Sequence, residues 1–163
     1  MKVYHGSLDV VENPEIRVVD RYLDFGYGFY TTMNEEQAVN WTAKQKNRKG
    51  TNIGYVSKYE FDIEKAESEL KIIRFDKADK EWLDFVSANR KGQCGETYDI
   101  VIGPVADDGV YEVVRFYEIG VYDLEEALKR LKVEELYNQV LFHTEKSLTY
   151  LRFIGAEEIY EQR

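Results

Sequence analysis

The sequence contains little cysteine, proline or histidine. Among its 163 residues are one cysteine, two prolines and two histidines. The single cysteine, Cys94, excludes an intramolecular disulfide, and no cluster of cysteines and histidines has the spacing of metal ligands. Cys94 is interpreted as a loop residue near two glycines, with an exposed reactive thiol as the alternative. Because two prolines leave no proline-rich linker, we expect a single domain over residues 1–163 with one full core.

Long apolar runs and an excess of basic residues are also absent. No apolar stretch approaches the roughly 20 residues that a membrane span requires, and no basic segment followed by an apolar run opens the sequence. We therefore expect a cytoplasmic protein without a membrane partner. The 22 lysines and arginines are outnumbered by 31 acidic residues, for a net charge of −9. This balance disfavours binding to a nucleic-acid backbone and favours a protein or a small molecule as partner.

Local patterns predict strands and helices interspersed along the chain, without an internal repeat. Strands are expected at residues 2–5, 28–32, 54–62, 71–75, 98–102, 137–143 and 152–160. Helices are expected to follow Asn34, to cover residues 77–89, to begin at Asp107 or Asp108, to follow Asp123, and to cover residues 144–148. No strand-helix-strand rhythm of a parallel sheet is evident. The sequence therefore predicts an α+β fold with a mainly antiparallel sheet.

Two short segments combine glycine with histidine or aromatic residues: Tyr4-His5-Gly6-Ser7 and Asp24-Phe25-Gly26-Tyr27-Gly28-Phe29-Tyr30-Thr31-Thr32. A histidine beside a glycine offers a side-chain hydrogen bond where bare backbone also approaches a ligand. The pair therefore indicates a site for a flat ligand. The second segment lacks the lysine of a phosphate-binding loop, and its glycines are also consistent with a turn that leads into a strand.

Neither histidine carries a reaction by itself. Ser7 lies near His5, but no carboxylate is identifiable to orient a hydrolase triad, and His5 can instead be a structural residue at the end of the sheet. His143 and His5 could meet in space. A two-histidine metal site would still need a carboxylate ligand, so we assign no metal.

Several segments together resemble a bacterial family of uncharacterised proteins, DUF3990. They are Tyr4-His5-Gly6-Ser7, residues 24–32, Gln37-Ala38-Val39-Asn40-Trp41, residues 98–108 and residues 139–146. The resemblance covers nearly the whole chain. That family in turn resembles the ADP-ribosyltransferase superfamily, whose diphtheria-toxin-like and poly-ADP-ribose-polymerase-like members share a histidine, tyrosine, glutamate pattern. The resemblance implies an ADP-ribosyltransferase-like split sheet with flanking helices.

The resemblance also implies that NAD is the substrate. His5 would hydrogen-bond a ribose hydroxyl, and the backbone of Gly6 would pair with the nicotinamide carboxamide, with no side chain in the space of the ring. Tyr30 would stack on the nicotinamide, a contact worth roughly 0.5 to 1.5 kcal/mol. At the third position, where most relatives have a glutamate, this chain offers Gln139, a dipole in place of a charge.

Further residues extend the implied site. Ser7, Gly28 and Trp41 join the cofactor-binding set, with a place in the core as the alternative for Trp41. Arg90 would meet the NAD pyrophosphate through a charge-assisted bond, or else remain a solvated arginine.

Three acidic residues are left with open roles. Asp107 and Asp108 either cap the following helix or line a site for the acceptor. Glu145 is interpreted as a first-turn residue that complements a helix dipole.

The implied function is an NAD-dependent mono-ADP-ribosyltransferase that cleaves the nicotinamide glycosidic bond. The acceptor is an unidentified macromolecule, a protein in preference to a nucleic acid. One setting for such a short protein is the toxin of a toxin–antitoxin pair, with a protein antitoxin as partner. The alternatives are a non-catalytic module that binds NAD or ADP-ribose, and an interaction protein that keeps the fold without the ligand.

Overall fold

A computed structural model describes residues 1–18, 23–93, 95–105, 108–132 and 138–160. Two residues named above, Cys94 and Asp107, lie outside them, as does residue 137 at the start of one predicted strand. The strands are β1 (Lys2–Ser7), β2 (Phe29–Thr32), β3 (Ile53–Phe61), β4 (Ile72–Arg74), β5 (Ile100–Pro104), β6 (Asn138–Phe142) and β7 (Leu151–Tyr160). The helices are α1 (Glu35–Lys49), α2 (Ile63–Glu69), α3 (Lys80–Arg90), α4 (Asp108–Glu118), α5 (Leu124–Leu131) and α6 (Glu145–Leu148).

The strands form one sheet in the order β4-β5-β6-β2-β1-β3-β7. Five of the pairings between the described strands are antiparallel. The exception is β4 with β5, which run parallel and are joined through α3. The predicted α+β class with a mainly antiparallel sheet is confirmed. The single parallel unit was not predicted, because the pairing of β4 with β5 depends on contacts between segments distant in sequence.

Side-chain caps set the starts of the helices. Asn34, Asp123 and Thr144 accept hydrogen bonds from the first turns of α1, α5 and α6, as their positions predicted. Asp79 does the same for α3. Glu145 lies in the first turn of α6, as expected for a residue that complements the helix dipole.

Helix α2 was missed by the sequence-based prediction. Asp62 caps it by accepting from the backbone N–H of Lys65 at 3.2 Å. Only one of its seven residues, Ala66, is buried, so the segment shows no apolar stripe. The cap was the only local signal available.

The two faces of the sheet carry separate hydrophobic clusters. One includes Val3, Phe29, Tyr59 and Phe142, together with residues of α2 and α6. The other joins Val101 and Leu141 to α3, α4 and α5. The alternation of side chains along each strand accounts for the division. None of the helices in the described ranges has the length and apolar character needed to cross a membrane.

Helix α1 lies on β1 and β3 at two glycines. A Cβ atom on Gly6 would come within 2.1 Å of the Ala38 carbonyl oxygen and 2.6 Å of Thr42 Oγ1. A Cβ on Gly54 would come within 2.1 Å of Thr42 Cγ2. The absence of side chains at both positions lets the helix approach the sheet closely.

The sheet opens between β1 and β2. Strand β1 pairs with β3 through all six of its residues. With β2 it makes one pair, Tyr4 with Thr32. Residues 5–7 therefore leave one strand edge without β-ladder partners from β2.

Candidate functional site

A cavity of about 670 Å³ lies at the opening between β1 and β2, and we call it the His5 cavity. Residues of β1, of β2 and of the turn before β2 form one part of its wall. Residues of the segment after β1 form another part. The lining residues include His5, Ser7, Val11, Arg17, Leu23, Gly28, Phe29, Tyr30 and Gln45. Its volume is typical of a small-molecule site.

His5 bridges the opening in the sheet. Its Nδ1–H donates to the Tyr30 carbonyl oxygen at 2.7 Å, and its ring lies 4.5 Å from that of Phe29. Burial lowers the pKa of the imidazole below its ordinary value, against the opposing effect of this hydrogen bond, and the positive charge of Arg17 lowers it further. Since Nδ1 carries the proton and the ring is neutral at pH 7, Nε2 is a hydrogen-bond acceptor.

Gly6 is needed for packing against α1. The Ala38 carbonyl and Thr42 occupy the space that a side chain at residue 6 would need. The glycine is therefore required by the packing of α1, and not by the room that a bound ring would take. The Gly6 carbonyl oxygen accepts from Gln45 Nε2 at 2.9 Å. Its backbone therefore already forms an amide hydrogen bond of the type expected for a carboxamide ligand.

The turn before β2 holds Tyr30 in place. The Tyr30 hydroxyl donates to the Gly26 carbonyl at 2.6 Å and accepts from the Phe25 N–H at 3.1 Å. Gly26 and Gly28 have φ angles of 91° and 152°, which side-chain-bearing residues rarely adopt. The interpretation of these glycines as a turn leading into a strand is confirmed.

A second cavity of about 580 Å³ also borders Tyr30, and we call it the Gln139 cavity. It is lined by Leu23, Asp24, Tyr30, Trp41, Arg90, Tyr111 and Gln139. Leu23 and Tyr30 line both cavities. The fold thus brings Trp41, Arg90 and Gln139 together with Tyr30 in the Gln139 cavity, and His5, Ser7 and Gly28 together with it in the His5 cavity.

Gln139 is buried with an unused donor. It pairs with Thr32 in the antiparallel ladder, so it shares a face with Tyr30 two residues away on β2. Gln139 is 2 % exposed, and its side-chain Nε2 has no hydrogen-bond partner. Because a buried amide without a partner is costly, this atom is a candidate contact for an oxygen of a ligand.

Arg90 is largely shielded from water, so its interpretation as a solvated arginine is wrong. Its side chain is 11 % exposed, and its Cζ lies 4.0 Å from the centre of the Tyr111 ring. Its Nε lies 3.8 Å from Asp24 Oδ1 and 3.6 Å from Glu118 Oε1. Two carboxylates thus flank one guanidinium beside the Gln139 cavity.

A family model described as "Protein of unknown function (DUF3990)" matches residues 1–153. The chain belongs to the DUF3990 family. The lining residues of both cavities all lie within the matched range. A comparison with curated proteins found no match to this DUF3990 chain.

The remaining residues named from the sequence have other contacts in this DUF3990 protein. His143 donates from Nδ1–H to the Tyr27 carbonyl at 2.6 Å and lines neither cavity. Ser7 lines the His5 cavity, but its hydroxyl donates to the Asp9 carbonyl at 2.7 Å. Asp108 is the first residue of α4. Within the described part of the chain, no three His, Cys, Asp or Glu side chains are grouped as a metal site requires.

Sequence reasoning missed the carboxylates beside Arg90. Asp24 opens the glycine-rich segment singled out above, six residues before Tyr30, so its place in that segment was a usable signal. Glu118 lies near the end of α4 without any motif around it. Its contact with Arg90 depends on the packing of α3 against α4.

Proposed function

We propose that this DUF3990 protein is an NAD-dependent mono-ADP-ribosyltransferase of ADP-ribosyltransferase-like fold. The observation that carries the proposal is the presence of Tyr30 in the walls of both cavities, with His5 in one and Gln139 in the other. We assign these residues to the three positions of the histidine, tyrosine, glutamate pattern. NAD would lie across both cavities, with its nicotinamide end beside Tyr30.

His5 is suited to bind a ribose hydroxyl. Its Nδ1–H is engaged by the Tyr30 carbonyl, which leaves the Nε2 lone pair to accept from an O–H group. The lowered pKa keeps the ring neutral, so this acceptor persists at neutral pH. A ribose hydroxyl supplies the required donor.

Tyr30 is suited to stack on the nicotinamide ring. Its hydroxyl is held by Gly26 and Phe25, so the orientation of the ring is set before a ligand binds. Offset stacking on such a fixed ring adds roughly 0.5 to 1.5 kcal/mol beyond the burial of apolar area. Preorganisation of this kind lowers the entropic cost of binding.

Gln139 is suited to hold a second ribose hydroxyl through its unpartnered Nε2. Loss of nicotinamide leaves positive charge on the ribose, as in glycoside hydrolysis. A glutamine stabilises that charge with a dipole alone, whereas a carboxylate does so with a full charge. We therefore expect slow turnover and a narrow range of targets.

Labelled NAD incubated with the protein and a bacterial lysate tests the proposal. The wild type should transfer label to a macromolecule, and His5→Ala or Tyr30→Ala should reduce transfer at least tenfold. His143→Ala is the matched control, because that histidine also donates to a backbone carbonyl but lines neither cavity. A wild type that neither binds NAD nor labels anything would contradict the proposal.

A non-catalytic module that binds NAD or ADP-ribose is the second candidate, and the neutral Gln139 favours it. The Gln139→Glu variant separates the two functions, since an added carboxylate should raise NAD turnover in a transferase. A binding module would bind NAD with and without the substitution and consume it in neither form. A toxin–antitoxin setting would add a protein antitoxin as partner, detectable by copurification of the neighbouring gene product.

A further inference from the structure

Gln45 of α1 connects the backbone of Gly6 to the His5 cavity. Its side-chain Nε2 donates to the Gly6 carbonyl oxygen at 2.9 Å, and Gln45 is one of the residues that line the cavity. Gly6 is not among the described residues that line it. The amide of Gln45 thus already occupies the Gly6 carbonyl, which the family resemblance assigns to a carboxamide of the ligand.

The packing of α1 sets the place of Gln45. Ala38, Thr42 and Gln45 follow one another at steps of four and three residues, so they share one face of the helix. A Cβ atom on Gly6 would come within 2.1 Å of the Ala38 carbonyl oxygen and 2.6 Å of Thr42 Oγ1. Because Gly6 has no side chain, α1 lies close enough to β1 for Gln45 to reach the Gly6 carbonyl.

The bond to Gly6 uses only part of the hydrogen-bonding capacity of Gln45. A glutamine amide has two N–H donors and one oxygen that accepts. The second N–H remains, and Oε1 has no hydrogen-bond partner within the described part of the chain. Since Gln45 is half-buried and lines the cavity, a ligand in the cavity can reach these groups.

A fixed donor and acceptor on one amide match a primary carboxamide. The N–H of such a ligand donates to Oε1, and its oxygen accepts from the remaining N–H of Gln45. A carboxylate has acceptors only, so one of its oxygens would face Oε1 without a proton between them. Phe29 and Tyr30 line the same cavity, and their rings favour an aromatic ring next to the carboxamide.

We propose that Gln45 binds the carboxamide of the nicotinamide ring and selects it over a carboxylate. This inference rests on the proposed transferase function, which supplies the ligand. It differs from what the family resemblance implies, where the backbone of Gly6 pairs with the carboxamide directly. Here Gly6 acts through Gln45, because its carbonyl orients the amide and its lack of a side chain allows the close approach of α1.

Titration of the protein with nicotinamide and, separately, with nicotinate tests the proposal. Wild type should bind nicotinamide at least about tenfold more tightly, because nicotinate leaves the amide of Gln45 incompletely paired. Gln45→Leu removes both hydrogen-bonding groups, so the Kd for nicotinamide should rise about tenfold and the preference should fall below about threefold. Gln45→Lys should reverse the preference, because an ammonium group donates both to the Gly6 carbonyl and to a carboxylate.

Gln93→Leu is the matched control, because it is the same substitution at an exposed glutamine that lines neither cavity. This variant should keep the wild-type preference. If Gln45→Leu unfolds, Gln45→Met removes the same groups from a side chain of similar length and should give the same loss of preference. NAD consumption is measured in parallel for every variant.

The outcomes are distinct. If wild type consumes NAD but does not prefer nicotinamide, or if Gln45→Leu keeps the preference, the role of Gln45 is wrong while the transferase function stands. Tighter binding of nicotinamide by Gln45→Leu would show that Gln45 blocks the Gly6 carbonyl, and this would also overturn the inference. If wild type neither binds nor consumes NAD, both proposals fail.

Discussion

The two edges of β1 differ in how they are used. Along one edge, all six residues pair with β3, and α1 lies across the two strands. Along the other, one residue pairs with β2, and a side-chain hydrogen bond from His5 takes the place of the missing ladder. The edge that faces β3 is fully paired within the sheet, and the edge that faces β2 borders the His5 cavity.

The comparison shows where a binding site can form in a continuous sheet. Backbone groups in a complete ladder are satisfied by their neighbours and have little to offer a ligand. Where the ladder stops, those groups and the side chains that bridge the gap become available. The gap brings together three of the residues named from the sequence: His5, Gly6 and Tyr30. The lack of a side chain at Gly6, however, allows the close packing of α1.

The largest effect is expected from Gly6→Ala. The added Cβ would meet the Ala38 carbonyl at 2.1 Å, so helix and strand must separate. We expect a loss of about 3 kcal/mol in the free energy of unfolding, at the upper end of overpacking costs. Urea denaturation measures it. Gly95→Ala is the control, since nothing lies within 4 Å of a Cβ there, and a comparable loss in both variants would contradict the role of Gly6 in seating α1.

A smaller effect is expected from Tyr30→Phe. The ring remains, but the Gly26 carbonyl and the Phe25 N–H lose their shared partner. We expect a loss of about 1 kcal/mol in the free energy of unfolding, the usual net value of a hydrogen bond. Tyr27→Phe, at a side chain that is exposed, should change stability by less than about 0.5 kcal/mol. Equal effects in thermal unfolding would show that the Tyr30 hydroxyl does not anchor the turn.

The smallest effect concerns pH. Because burial lowers the pKa of His5 in the folded state, the unfolded chain binds a proton first as pH falls below the ordinary value of 6.5. His5 therefore costs no stability above that value, and its contribution becomes destabilising below it. We expect the loss of stability between pH 7.5 and 5.5 to be smaller in His5→Gln than in wild type. An identical pH dependence in His5→Gln and wild type would rule out a lowered pKa of His5.

Local signals explain most of what was predicted correctly. Caps such as Asn34, Asp123 and Thr144 bind backbone groups within one helical turn, so a helix start can be predicted from a few neighbouring residues. Strand alternation likewise placed β3 within one residue at either end. Helix α2 and the parallel pairing of β4 with β5 were missed, because one lacks an apolar stripe and the other depends on contacts distant in sequence.

The candidate site divides in the same way. The sequence by itself determined the α+β class and the glycine turn before β2, because residue type and local spacing carry that information. The roles proposed for His5, Tyr30 and Gln139 come from the family resemblance and stay predictions. Only the tertiary structure decided that Gly6 faces α1, that Arg90 is largely shielded from water, and that Asp24 and Glu118 flank it. Those facts depend on how separate elements pack, and no local pattern encodes the distance between side chains on α3, α4 and the turn before β2.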